Sequence, residues 1–268
     1  MKRFTLICIY LSGCFIGKAQ ITGDSLYESG QYFQAAIAYE KEAFFAPNSE
    51  LQDQLILKKA YAYKALGNYS KAFNITSRIS KKSDSLYKVV LYERILLAYL
   101  SDEYQKAHNE LLKWQVRYGE NSEEILSLRF LTLVQIEKME EAQEILTKYD
   151  SELSINQEEV SSLLEANWQL KNPDKAYMLS LVLPGVGQMY AGHFFKGVFS
   201  GVVQTGLVIF TAWNVYHGYF FTGGMTGATL FYTFYLGGAR YARNLTIQYN
   251  DRVKSELVNE FLDIASKK

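Results

Sequence analysis

The sequence predicts an all-α fold: a solenoid of helical hairpins, then a transmembrane helical hairpin and a C-terminal amphipathic helix. Before residue 150, four alanines recur at spacings of 37, 35 and 35 residues, and a fixed period of that length indicates stacked helical units. Residues 197–239 then carry no formal charge over 43 positions, which is long enough for two membrane passes. The 268 residues include only three prolines, and scarce proline favours helices.

The balanced charge of the chain conceals three unlike segments. The whole chain has 28 basic and 28 acidic side chains. Residues 1–19 carry three bases and no acid, residues 20–175 carry 18 bases and 24 acids, and residues 176–268 carry seven bases and four acids. A net charge of zero argues against nucleic-acid binding, which requires an excess of Lys and Arg. The apolar content of 49% excludes wholesale disorder.

The N-terminus has the pattern of a secretory signal. Two basic residues precede an uncharged apolar run that ends in small residues, so residues 1–19 are predicted to be a signal peptide cleaved before Gln20. The residues around Cys14 resemble a lipobox, which leaves lipidation of Cys14 open. Because Cys8 and Cys14 are the only cysteines, cleavage before Gln20 removes every thiol that might catalyse, bind a metal or form a disulfide.

One pattern occurs four times in residues 20–150. A turn residue is followed two positions later by a large apolar or aromatic residue, and an alanine comes three positions after that. The turn residues are Gly30, Gly67, Asp102 and Glu137, and the alanines are Ala35, Ala72, Ala107 and Ala142. This pattern resembles the tetratricopeptide repeat, in which a turn joins two antiparallel helices and the alanine lets them approach closely. The alternative is an unrelated helical bundle.

The resemblance implies a binding groove, because the first helices of such arrays line a concave surface that holds an extended peptide or a partner helix. The repeat register places these residues there: Tyr27, Leu57, Tyr61, Lys64, Tyr92, Leu96, Tyr99, Ser127, Leu131 and Val134. The tyrosines are the best candidates for contact with a protein partner, because they add large area at low entropic cost. The alternative for each residue is packing against a neighbouring helix.

Two further helices are predicted around the apolar region. Residues 151–172 are expected to cap the open end of the array, with a capping box at Ser154 and a helix from Gln157 to Leu170. Residues 240–268 are expected to form an amphipathic helix. Its apolar stripe consists of Val253, Leu257, Phe261 and Ile264. We favour docking of this stripe within the protein over a location on the bilayer surface.

Residues 173–239 are predicted to be a membrane region, and they carry a second motif. Its members are Pro184, Gly185, Gly187, Gln188, Tyr190 and Gly192, followed by Gly197. The motif resembles the P-G-x-G-Q-x-Y-x-G signature of two-transmembrane (TM-two) domains in bacterial envelope proteins, which implies a membrane location but no chemistry. Because proline and glycine break helices, residues 176–183 are predicted to form only a half-helix.

Small residues recur at helix-packing spacing in the same region. Gly197 and Gly201 form one pair four residues apart, and Gly223 and Gly227 form another. Such pairs let membrane helices approach closely. The predicted hairpin therefore also offers a surface for a homo-oligomer.

Nothing in the sequence indicates catalysis, a cofactor or a metal. The three histidines are far apart, and there is no P-loop, Ser/His/Asp set or carboxylate pair. We therefore expect a scaffold or adaptor of the bacterial envelope, anchored in the inner membrane, whose periplasmic repeats bind a protein. Two alternatives stay open: an outer-membrane lipoprotein of an assembly machine, lipidated on Cys14, and a subunit of a small transporter or channel.

The mature N-terminus separates the first alternative from the main prediction. We expect mass spectrometry of the protein isolated from cells to show a chain that starts at Gln20, because small residues precede that position. A chain that starts at a lipid-modified Cys14 would contradict signal cleavage before Gln20 and favour the lipoprotein.

Overall fold

The computed structural model describes residues 22–80, 83–119, 122–148, 157–166 and 168–267. In these ranges the chain forms thirteen α-helices and one π-helical segment and no strand, which confirms the all-α class. The predicted signal peptide, with Cys8 and Cys14, lies outside the described residues, and so does Ser154 of the predicted capping box. The chain divides into two compact units between Arg117 and Tyr118, and the predicted repeat region of residues 20–150 therefore spans both units.

The first unit is built from helices that follow one another closely. Their bounds are α1 Gly23–Glu28, α2 Tyr32–Phe44, α3 Ser49–Ala65, α4 Tyr69–Thr76, α5 Asp84–Leu100 and α6 Tyr104–Tyr118. Consecutive helices from α1 to α5 pack against each other. The repeated alanines Ala35, Ala72 and Ala107 are fully buried, as a residue must be where two helices approach closely.

The turn residue of each copy adopts the same left-handed backbone. Their φ angles are 77° at Gly30, 72° at Gly67, 59° at Asp102 and 65° at Glu137. The same two backbone hydrogen bonds end the helix before each turn residue. In the second copy, the N–H of Gly67 donates to the carbonyl of Lys64, and the N–H of Asn68 donates to the carbonyl of Tyr63. Equivalent pairs close the other three turns. This is the Schellman ending of a helix, and it persists where Asp and Glu replace glycine.

Polar contacts join the helices of the first unit. Lys58 Nζ lies 2.7 Å from Asp24 Oδ2, and Tyr39 donates its hydroxyl to Asp24 Oδ1 at 2.7 Å. These bonds, from Lys58 first and Tyr39 second, hold the pKa of Asp24 below its usual range. Arg94 of α5 pairs with the buried Glu110 of α6 at 2.8 Å. Removing one partner of a buried ion pair is costly, because the other charge is left buried without compensation.

The second unit contains the fourth copy of the pattern and the whole apolar region. Its elements are α7 Glu123–Gln135, α8 Met139–Lys148, α9 Gln157–Glu165, α10 Pro173–Val182, α11 Val186–Tyr190, α12 Phe194–Tyr216, the π-helical segment Thr222–Ala228 and α13 Thr229–Ser266. Helix α10 ends before Pro184, as the sequence predicts for a half-helix.

The predicted capping helix is shorter than expected, because α9 ends at Glu165 rather than at Leu170. Beyond that end, the indole of Trp168 turns back and donates to the carbonyl of Leu163 at 2.8 Å. Its ring also packs edge-on against Phe130, with centroids 6.2 Å apart. The side chain of Trp168 therefore packs back on the second unit just after α9 ends.

The predicted division between residues 239 and 240 does not coincide with the end of a helix. Helix α13 runs without interruption over 38 residues, from the end of the apolar region through the polar C-terminal segment. The predicted apolar stripe is buried, and it packs on α7 and α9. Phe261 stacks on Phe130 with ring centroids 4.4 Å apart. Docking of the stripe within the protein is confirmed.

The left-handed turn at Asp102 predicts an order of stability among variants. Asp102→Gly should leave the full chain about 1 kcal/mol more stable to unfolding than Asp102→Ala, because an alanine is strained at positive φ and a glycine is not. Both variants lose the bond that Asp102 accepts from Tyr104, so their difference isolates the backbone. Urea unfolding followed by circular dichroism measures it, and equal stability would contradict the assignment of the turn.

Candidate binding surface and membrane motif

Six of the ten predicted groove residues lie half-buried on the first helices of the first unit. They are Tyr27 on α1, Tyr61 and Lys64 on α3, and Tyr92, Leu96 and Tyr99 on α5. Tyr27, Tyr61 and Tyr99 each pack against the hydrophobic core and stay partly exposed. Packing of this kind restricts the orientation of a side chain before a partner binds.

The other four groove residues require correction or belong elsewhere. Leu57 is 7% exposed and lies inside the core of the first unit. Leu131 and Val134 on α7 are also buried, so these three side chains are not available to a partner. Ser127 is half-buried on α7, in the second unit. Apolar side chains at helical spacing fill a core before they form a surface, and the repeat register alone does not separate the two.

Equivalent positions of the first three copies carry an aromatic or cationic contact. Tyr27 and Tyr99, each three residues before its turn residue, meet the aromatic that opens the next helix. The ring centroids are 5.1 Å apart for Tyr27 and Tyr32 and 5.4 Å apart for Tyr99 and Tyr104, in edge-to-face geometry. Lys64 holds the same position in the second copy.

The positive charge of Lys64 is balanced by Glu93 on a neighbouring helix. Lys64 Nζ lies 2.8 Å from Glu93 Oε2 and 5.9 Å from the ring centroid of Tyr61. Burial first, and then electrostatic interaction with Glu93 and with Tyr27, raises the pKa of Tyr61 to about 12. We call Tyr27, Tyr61, Lys64 and Tyr99 the tyrosine row.

The glycines of the second motif permit direct contact between helix backbones. A Cβ atom added at Gly185 would overlap the carbonyl oxygen of Gly197, and one added at Gly187 would overlap the carbonyl oxygen of Ala176. Gly185 also has φ of 96°, in the left-handed region. An added Cβ at Gly197 would lie 2.5 Å from the carbonyl oxygen of Gly185. Helices α10, α11 and α12 therefore approach more closely than any side chain allows.

The glutamine of the motif is buried and connects three helices. Gln188 on α11 is 1% exposed. Its Oε1 accepts from Ser180 Oγ of α10 at 3.2 Å, and its Nε2 donates to the carbonyl of Gly238 of α13 at 3.0 Å. Ser180 in turn accepts from the backbone N–H of Gly187. Because a buried amide is costly unless paired, this network favours one arrangement of the helices.

The remaining motif residues also serve the packing of this region. The hydroxyl of Tyr190 accepts from the backbone N–H of Asn172 at 3.1 Å. Gly192 has φ of 93° and closes the turn after α11. A Cβ added at Gly201 would lie 3.2 Å from the carbonyl oxygen of Pro184. The structure thus brings all seven predicted motif residues into one local packing arrangement.

Helix α12 differs from the other helices in what it leaves exposed. Within the described part of the chain, it is the one helix long and apolar enough to cross a membrane, and 6% of its apolar window is buried inside the protein. The expected second pass is not a helix of that kind. It begins as the π-helical segment and continues directly into α13, which becomes polar after residue 239.

The two arms of the apolar region nevertheless pack against each other. Gly227 lies against Thr211, Gly223 lies against Val215, and Gly238 lies near Gln204, so the arms run antiparallel. The spacing of the small residues predicts close contacts of this kind. The turn between the arms contains Gly218, with φ of 81°.

Sequence reasoning missed the polar residues that α12 contributes beside the motif. Ser200 and Gln204 follow Lys196 at intervals of four residues, so the three share one face of an otherwise apolar helix. Gln204 is 3% exposed and donates to Ser200 Oγ at 3.1 Å. The signal was available, because a polar stripe on an apolar helix is visible in the sequence.

The tight contact at Gly197 predicts an unequal response to a methyl group. Gly197→Ala should destabilise the full chain by about 1–3 kcal/mol, because overpacking forces backbones apart. Gly206→Ala on the same helix is the matched control, since an added Cβ there meets nothing within 4 Å. Thermal melting in detergent measures both, and equal melting temperatures would contradict the close approach.

In the described ranges, no three His, Cys, Asp or Glu side chains lie together in a group that could hold a metal ion. Comparison of the chain with protein-family models, with curated proteins and with solved structures found no match.

Proposed function

We propose that this chain is a membrane-anchored scaffold or adaptor, and that the tyrosine row of its first unit binds a segment of a partner protein. The observation that carries the proposal is the recurrence of half-buried aromatic rings at equivalent positions of α1 and α5, with Tyr61 and Lys64 between them on α3. Tyrosine is enriched where interfaces gain most of their binding energy. The function is binding, and it needs no catalytic group.

The anchor in this proposal is α12. Its large apolar side chains point outward: Phe195 is 85% exposed, Phe199 71% and Ile209 63%. A contiguous apolar surface of this kind is rare on a soluble monomer and is typical of a membrane or protein contact. At 23 residues, the helix has the length that a bilayer core requires.

We also propose that the start of α13 enters the membrane beside α12, as the sequence predicts for a hairpin. Support comes from the glycine contacts at Gly223 and Gly227 and from the exposed aromatic residues around the turn. These are Trp213, Tyr216, Tyr219 and Phe220. Aromatic side chains of this type favour the boundary between lipid and water. The predicted signal peptide and the TM-two resemblance support the bacterial inner membrane as the location of the anchor and the periplasm as that of the first unit.

The partner in this proposal is an extended peptide or an amphipathic helix. Lys64 is already paired with Glu93, so the row offers aromatic area rather than net charge. Rings that pack on the core lose little further conformational freedom on binding. An apolar or amphipathic segment therefore fits this surface better than a strongly charged one.

Photo-crosslinking in intact cells tests the proposed surface. A benzophenone amino acid at Tyr61 or Tyr99 should capture a discrete partner several-fold more efficiently than the same probe at Ile37, because only the former two lie in the tyrosine row. Ile37 on α2 is the control, since it is apolar and 56% exposed. Equal capture from Ile37 would contradict the assignment of the surface.

Carbonate extraction of membranes from the same cells tests the proposed anchor separately. Alkaline carbonate should leave the full chain in the membrane fraction, because an inserted apolar helix is held by the hydrophobic effect rather than by charge. Release of the chain into the soluble fraction would contradict membrane insertion and leave the test of the tyrosine row unaffected.

A further inference from the structure

A cleft of about 840 Å³ lies between α12 and α13 in the second unit. Its walls include Phe195 and Phe199 from α12 and Phe234 from α13, all of them more than half exposed. Its floor contains Ser200, Gln204, Gly237 and Gly238. The size falls in the range of small-molecule sites, which are apolar with a few placed polar groups.

The floor contains a buried acceptor that lacks a partner. Gln204 is 3% exposed, and its Oε1 atom forms no hydrogen bond, whereas its Nε2 donates to Ser200. Leaving a buried polar atom unpaired is unfavourable. Turning the amide over would only exchange the atom that lacks a partner. Gln204 also lines the cleft, and because its unpaired oxygen has no exposed surface, the side chain must rotate to meet an occupant.

One end of the cleft is positive. Lys196 carries the one formal charge within residues 176–239, and its Nζ lies 5.6 Å from the ring centroid of Tyr241, the residue opposite it in the cleft. Just outside α12, burial lowers the pKa of His193. The positive charges of Lys196, Arg252 and Lys171 lower it further. Lys196 is the cation that lines this end of the cleft, and the other two positive charges act near His193.

The cation and the unpaired acceptor are separated along one helix. Gln204 lies eight positions after Lys196 on α12, which corresponds to roughly 12 Å along the axis. Aromatic and apolar side chains line the distance between them. An occupant that matches all three features has a negative head, an apolar chain and a hydrogen-bond donor partway along that chain.

We propose that this cleft binds one anionic lipid, with its charged group at Lys196 and Tyr241 and one acyl chain along the aromatic walls. Gln204 accepts a hydrogen bond from a hydroxyl or amide group on that chain. The inference rests on the proposed insertion of α12 in a membrane, and it adds a specific ligand site to the anchor. Binding is non-covalent and requires no chemistry.

Three single-chain probes separate the contributions of charge and donor. The full chain is placed in phosphatidylcholine vesicles with stearate, with stearate hydroxylated at mid-chain, or with the methyl ester of the hydroxylated acid. Native mass spectrometry then counts the probe molecules that each chain retains. We expect one hydroxylated acid per chain, and roughly tenfold weaker retention of each of the other two, as one lost hydrogen bond or ion contact implies.

Matched variants locate the site. Gly237→Leu should abolish retention by filling the cleft, whereas Gly206→Leu should not, and an added Cβ meets nothing within 4 Å at either glycine. Lys196→Gln should remove the preference for acid over ester. Lys175→Gln is its control, because Lys175 lies over Tyr190 at a similar 5.5 Å but does not line the cleft. Gln204→Leu should remove the preference for the hydroxyl.

The outcomes distinguish this inference from the proposed anchor. If the chain floats with vesicles but retains all probes equally, or if Gly237→Leu retains them as the wild type does, the lipid site is wrong and the anchor stands. If Gly237→Leu instead converts a dimer to monomers and leaves retention of the probes unchanged, the cleft is a protein interface and the lipid site is wrong. A chain that does not float overturns both. Circular dichroism of each variant verifies folding.

Discussion

The second unit depends on the contact of helix backbones at Gly185, Gly187 and Gly197. A side chain at any of these positions would overlap a backbone carbonyl, and its absence lets the backbones of α10, α11 and α12 come into contact. That approach directs Gln188 inward, where an unpaired amide would be costly. Its bonds to Ser180 and to the carbonyl of Gly238 then connect α11 to α10 and α13. The motif acts through packing, and the polar network follows from it.

The long helix α13 extends this arrangement to the fourth copy of the repeated pattern. At 38 residues it spans about 57 Å, with an apolar start beside α12 and an apolar stripe near its end. Phe261 stacks on Phe130 of α7, and Trp168 packs on the same ring. One continuous helix therefore connects the proposed membrane segment to the α7–α8 hairpin. A division of the region into separate membrane and C-terminal helices misses this connection.

The predictions succeeded where the physics is local and failed where it depends on neighbours. The spacing of alanines and turn residues identified four turns of the same geometry, even where Asp102 and Glu137 replace glycine. The end of α10 before Pro184 also followed from the backbone restrictions around proline. By contrast, the burial of Leu57, Leu131 and Val134 is invisible to a repeat register, because a helical period places apolar residues without saying which neighbour covers them.

The helical class, the repeated turns and an uncharged segment of membrane length can be read from the amino-acid sequence, because each follows from spacing, composition and backbone preference. Tertiary structure alone decided that the apolar region and the C-terminal stripe share one helix, that Gln188 bridges three helices, and that Gln204 lines a cleft without a partner for its oxygen. These features depend on which residues distant in the chain come into contact. A polar stripe on an apolar helix is visible in the sequence, but the partner of each polar residue depends on its neighbours in space.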